Sequence, residues 1–211
     1  RRVSVVDYGM GNVWSVISAL KYLGAMAELV CDPGILSQAN FIVLPGVGSF
    51  KKGMENLKKN GLNEVIRSAV TQGNAKILGI CLGMQLLFTE SQENGQFEGL
   101  NLIPGKVKLI NKLIKKGDNL KIPHIGWNTL KKNNDNPLLD GVEDGSWVYF
   151  VHSLYPEPVD HRVISTTTDY GIDFTSMVYD KKIFGTQFHP EKSGPAGAKI
   201  LKNFVSICDN Q

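Results

Sequence analysis

The stretch KILGICLGMQLLF (76–88) places one cysteine, Cys81, between an apolar run that reads as a strand and one that reads as a helix. Around it, Gly79-Ile80-Cys81-Leu82-Gly83 has the form G-x-C-x-G, the thiol counterpart of a nucleophile elbow. A nucleophile held in a strained strand-to-helix turn crowds its neighbours, and glycines two residues away on each side remove the clashing Cβ atoms. The new helix N-terminus would stabilise a thiolate and offer free N–H donors. Taken alone, a single cysteine is more often a buried structural residue, so the presence of a base decides.

Of the histidines at 124, 152, 161 and 189, only His189 stands in a context that reads as catalytic, GTQFHPEKSG (185–194), directly after a strand-like run. In extended chain, residues i and i+2 share a side, so Glu191 can accept from His189 Nδ1 and leave Nε2 for a thiol. Pro190 restricts the backbone between them. Such a Cys–His–Glu relay activates a thiol and returns a proton to a leaving group. By itself, H-P-E also fits a surface histidine beside an incidental carboxylate. Pro45-Gly46-Val47-Gly48-Ser49 follows the apolar run FIVL; in isolation it is a plain turn. Beside the elbow, the N–H groups of Val47 and Leu82 would form an oxyanion hole.

These residues need a scaffold. The first half alternates VSVVDY (3–8), a helix from Asn12 to Leu23, AELVC (27–31), FIVLPG (41–46), a helical region over 51–72, KILGI (76–80) and LGMQLLF (82–88). That β-α-β-α rhythm, with continuous apolar strands, predicts an α/β fold: an open, mostly parallel sheet flanked by helices. From residue 100 the runs KVKLI, KIPHIGWNTL, WVYFVHSLY, RVISTT, FTSMVYD and KKIFGTQF predict a strand-rich, mainly antiparallel C-terminal half. A helix over PAGAKILKNFVSIC closes the chain. With 211 residues and no visible linker or repeat, a single domain over 1–211 is expected.

Apolar residues at 42% and charged ones at 20% exclude disorder, and a net charge of +3 is too small to argue for nucleic acid. The paired lysines at 51–52, 58–59, 115–116 and 131–132 read as solvated faces. Three widely spaced cysteines favour neither a disulfide framework nor a structural zinc site, and no apolar run reaches the ~20 residues that span a bilayer. A cytoplasmic chain, away from membranes and without metal or cofactor, is expected.

Taken together, PGVGSF, GICLGMQLLF and FHPEKSG resemble the class I glutamine amidotransferases. DYGMGN (7–12), EGLNLIPGKV (98–107), PHIGWN (123–128), YFVHSLY (149–155) and TTDYG (167–171) narrow the likeness to the glutaminase subunits of imidazole glycerol phosphate synthases. The resemblance implies that Cys81 attacks the side-chain amide of glutamine, that His189 protonates the departing ammonia and then activates water, and that Glu191 orients His189. It assigns Gly48, Gln85, Ser153, Leu154 and Tyr155 to glutamine binding. It also implies a heterodimer partner, the (β/α)8-barrel cyclase of the pathway, reached by ammonia through a tunnel. Asn12, Pro123, Ile125, Trp127, Tyr149 and Lys192 would face that partner. Individually these have plainer readings: Asn12 as a helix cap, Trp127 and Tyr149 as core aromatics, Lys192 as a solvated charge.

Two departures stand out. Trp14 occupies a position where many relatives carry a basic residue, and KLINKLIKKGDNLK (108–121) is longer and more basic than expected. They keep open a paralogous amidotransferase subunit feeding surface-sugar biosynthesis. A stand-alone cysteine hydrolase and a non-catalytic nucleotide-binding module stay open beside it, although the latter would lack G-x-G-x-x-G and any Walker-A lysine pattern.

Overall fold

A computed structural model describes residues 2–110 and 119–209. Residues 111–118, most of the lysine-rich insert, lie outside the described residues. The first half runs β1 (Arg2–Val6), α1 (Val13–Tyr22), β2 (Met26–Val30), α2 (Pro33–Ser37), β3 (Phe41–Leu44), α3 (Phe50–Lys59), α4 (Leu62–Thr71), β4 (Lys76–Ile80) and α5 (Leu82–Leu86). It continues through β5 (Phe88–Ser91), β6 (Phe97–Glu98), β7 (Ile103–Leu109), β8 (His124–Thr129), β9 (Lys131–Lys132), β10 (Trp147–His152) and β11 (Leu154–Pro158). The chain closes with β12 (Ile164–Asp169), β13 (Asp173–Asp180), β14 (Ile183–Thr186) and α6 (Gly194–Asp209).

An eight-stranded sheet in the order β2-β1-β3-β4-β14-β13-β12-β9 forms the centre. Its first five strands are mutually parallel and the remaining neighbours antiparallel. Because side chains alternate across a strand, Phe41 and Val43 of β3 enter the core covered by α1 and α6, whereas Ile42 and Leu44 enter the one covered by α3 and α4. Burial on both faces explains why these strands read as unbroken apolar runs. A four-stranded sheet, β11-β7-β5-β6, and a two-stranded ribbon of β8 and β10 complete the molecule.

Four local expectations are corrected. The helical region over 51–72 is two helices, broken at Gly61, which takes a left-handed φ of 67°. LGMQLLF is not one helix: α5 stops at Leu86, because the Leu86 and Leu87 carbonyls accept from Leu100, Leu102 and Ile103 instead of continuing the turn. WVYFVHSLY divides at Ser153 into β10 and β11. RVISTT opens with a 3-10 turn at His161–Val163 before β12.

The elbow glycines have measurable work. A Cβ on Gly83 would lie 1.7 Å from the Leu44 carbonyl oxygen, and one on Gly79 would lie 2.7 Å from the Gly83 carbonyl carbon. The β4–α5 turn therefore packs backbone on backbone, with no flexible side chain to yield. Gly83→Ala is expected to lose at least ~2 kcal/mol of stability, as severe overpacking does, read from the urea midpoint against the unchanged protein.

Candidate active site

Cys81 sits between β4 and α5 with φ 53° and ψ −110°, a strained conformation for a residue with a side chain. Its backbone is tied down on the β14 side, where its N–H donates to the Thr186 carbonyl at 2.7 Å. The Sγ atom is buried and lies 3.6 Å from the Val151 carbonyl of β10.

Because β14 lies beside β4 in parallel register, the chain that leaves β14 passes next to Cys81. It carries His189, 4% exposed. His189 Nδ1 and Glu191 Oε1 are 2.8 Å apart, with both side chains almost wholly buried. The expected contact is present but not its expected geometry: residues 190–192 form a 3-10 turn with His189 as its cap, so curvature rather than extension brings Glu191 back. Ser193 fastens this turn, donating its hydroxyl to the His189 carbonyl at 2.6 Å and accepting the Tyr149 N–H at 2.9 Å. Glu191 Oε2 is buried without a hydrogen-bond partner among the described residues, so its charge acts chiefly on His189. Burial lowers the His189 pKa, but the neighbouring Cys81 and Glu191, as anions beside it, outweigh burial and push the imidazole up to about 10. With the sulfur anionic, His189 is an imidazolium between it and the Glu191 carboxylate.

Gln187, missed from sequence, is fully buried and touches the nucleophile: its Nε2 donates to Cys81 Sγ at 3.7 Å. Its Oε1 accepts from Gln85 Nε2 at 3.2 Å, and Gln85 also donates to the Leu154 carbonyl at 3.3 Å. The only available signal was its place two residues before His189, on the same side of the chain. Tyr8 is a second omission: its hydroxyl donates to the Pro45 carbonyl at 2.6 Å, and its pKa is raised by burial and by the charge of Cys81.

The expected oxyanion hole is not assembled. The Leu82 N–H donates to the Gly46 carbonyl at 3.2 Å, and the Val47 nitrogen lies on the Gly11 side, where a Cβ on Gly11 would come within 2.9 Å of it. A carbonyl thus occupies the donor an oxyanion would use. Gly48 lies in the same turn, with a positive φ of 116°. Leu154 and Tyr155 are buried in β11, and Ser153 just before it accepts from Ile110 N–H through its carbonyl.

The residues expected at a partner face fall into two settings. Ile125 and Trp127 are 60% and 52% exposed on one side of the β8–β10 ribbon, and half-buried Tyr149 stands opposite Trp127 with ring centroids 5.9 Å apart. Pro123 is exposed just before β8, and Lys192 is exposed beside Glu191. Asn12 does cap α1, accepting from Ser15 N–H at 3.4 Å, while exposed. Trp14 is also exposed. Among the described residues, no group of three or more His, Cys, Asp or Glu is placed to hold a metal ion. No described helix is long and apolar enough to cross a membrane.

Residues 4–208 match the family model of class I glutamine amidotransferases, and the chain belongs to that family. Over 205 residues it is 49% identical to "imidazole glycerol phosphate synthase subunit HisH" of Geobacillus kaustophilus, covering 97% of this chain and 96% of the relative. The protein of the same name from Archaeoglobus fulgidus is 47% identical, covering 97% and 98%. Among solved structures, a glutamine amidotransferase superposes with a TM-score of 0.75 at 18% identity, covering 98% of both chains. PurLQS from Thermotoga maritima gives 0.70 at 19%, again covering 98% of both chains. At those identities the structures share the fold.

Two other histidines are held in the opposite charge state. Burial lowers His124 to about 4; it lowers His152 to about 3, with the Leu154 carbonyl opposing and the charges of His124 and His189 adding. Such histidines stay neutral in the fold while the unfolded chain takes up protons below about pH 6.5, so stability falls as pH drops from there toward 4. Urea midpoints measured from pH 7 to 4 are expected to decline, and less steeply in His152→Asn.

Proposed function

We propose that this chain is the glutaminase subunit of an imidazole glycerol phosphate synthase, working in the cytoplasm and feeding ammonia to a (β/α)8-barrel cyclase subunit. The observation that carries it is a strained, buried Cys81 beside the His189–Glu191 pair, in a chain nearly half identical to synthase subunits over its length. In this reaction the Cys81 thiolate attacks the glutamine amide carbon. The His189 imidazolium gives its proton to the departing amine, leaving a thioester and ammonia. Neutral His189 then takes a proton from water as it attacks the thioester, which releases glutamate and restores the thiolate and the imidazolium. Glu191 keeps the imidazole oriented and stabilises its charge. Gln85 and the Ser153–Tyr155 backbone hold the substrate beside the Gly48 turn.

For the oxyanion to find two donors, the Gly46–Val47 peptide must turn, freeing the Leu82 N–H and bringing in that of Val47. The resting enzyme is accordingly slow, and the turn is the step that partner binding favours. Asn12, Pro123, Ile125, Trp127, Tyr149 and Lys192 form the docking side. Exposed Ile125 and Trp127 supply its apolar anchors.

The test is a glutaminase assay with and without the histidine-pathway cyclase and its nucleotide ligand. Little turnover alone and strong stimulation in the complex are expected, with Cys81→Ser lowering the stimulated rate at least ~1,000-fold. Full activity without a partner would contradict the assignment. Binding only to a paralogous barrel would move it to surface-sugar biosynthesis.

A further inference from the structure

Three sequence motifs have only part of their residues used by the reaction above: PHIGWN, YFVHSLY and TTDYG. They meet on the inner side of the β8–β10 ribbon. His124 and His152 pair directly across its two antiparallel strands, 3% and 5% exposed. His152 Nδ1 lies 2.7 Å from the Leu154 carbonyl oxygen, which can only accept, so Nδ1 carries the proton. In a neutral ring Nε2 is then an acceptor, and it lies 2.8 Å from His124 Nδ1, which must donate. His124 Nε2 is left to accept from Asn128 Nδ2 at 3.3 Å, and the same amide donates to the Asp169 carbonyl at 2.8 Å.

Every link admits one polarity while both rings are neutral, and burial keeps them so. The His124 ring is also clamped. Phe150 and Tyr170 stack on it at centroid distances of 4.9 and 4.0 Å, and Tyr170 is anchored by its hydroxyl to the Lys121 carbonyl at 2.5 Å. At the far end, the Leu154 carbonyl accepts from both His152 and Gln85.

We propose that His124 and His152 are positioning residues: a neutral two-imidazole strut that fixes the Leu154 carbonyl, and with it the Gln85 side chain, to the ribbon bearing Ile125 and Trp127. This deepens the proposed function, since it rests on Gln85 and the Ser153–Tyr155 backbone holding glutamine. The strut touches no reacting atom. It sets how well the glutamine site is preformed, and a body docked on the outer face of the ribbon acts on that site through it.

Two measurements on the full chain test it. In ¹⁵N-labelled protein at pH 7, both imidazoles are expected to be neutral and protonated at Nδ1; a charged ring or an Nε2–H tautomer at His152 would overturn the strut. Titration of the Cys81→Ala chain with L-glutamine by calorimetry provides the second. His152→Leu is expected to weaken binding about tenfold, the cost of a buried carbonyl losing a donor. His152→Asn, whose amide can still donate from the Nδ1 position, should recover most of it. Equal affinity in His152→Leu, with near-ultraviolet circular dichroism unchanged, would contradict the proposal. If His152→Leu does not fold, His152→Asn against His124→Leu supplies the same contrast. Should the Cys81→Ala chain fail to take L-glutamine both alone and with the cyclase and its nucleotide ligand, the substrate assignment is what fails, and the strut stands or falls on the tautomers.

Discussion

Cys81 keeps a φ of 53° in a turn whose backbone packs closely on neighbouring backbone. A Cβ on Gly79 would collide with the Gly83 backbone and one on Gly83 with the Leu44 carbonyl, and the Cys81 N–H is held by Thr186. These contacts join β3, β4 and β14, the centre of the sheet, so local strain at one residue is held by the rigidity of three strands. The same packing fixes where everything else must arrive. Parallel pairing of β14 with β4 delivers Gln187 and His189, and β10 delivers the Val151 carbonyl to the sulfur.

Burial disfavours the charged form of both His189 and His152, and their partners decide the outcome. His189 faces two acidic groups, Cys81 and Glu191, and is favoured in its charged form, whereas His152 faces a carbonyl and a second imidazole and is held neutral. Each state suits its place. A charged His189 can give a proton to a leaving amine, while a neutral His152 donates in one direction and accepts in the other, as a fixed link must. His189 in turn depresses His152, which reinforces the separation.

Much of this was legible in the sequence because it is local. Strands buried on two faces announce themselves as FIVL and KILGI, and a cysteine between two glycines at a strand end announces an elbow. What escaped depends on contacts far apart in the chain. The end of α5 at Leu86 is set by residues 100–103, and the 3-10 turn after His189 is pinned by Ser193 to β10. Gln187 meets Cys81 across 106 positions, and His124 meets His152 across 28. The closed oxyanion site follows from one peptide orientation, Gly46 toward Leu82, which no residue pattern specifies.

The central claim is that the strained thiol of Cys81, paired with His189, is the nucleophile for a glutamine side chain. An alkylating glutamine analogue followed by peptide mass spectrometry tests it most directly. One adduct per chain at Cys81, formed more slowly when L-glutamine is present and absent in His189→Ala, is the predicted result. Labelling at another residue, or labelling of Cys81 that L-glutamine does not slow, would contradict the account.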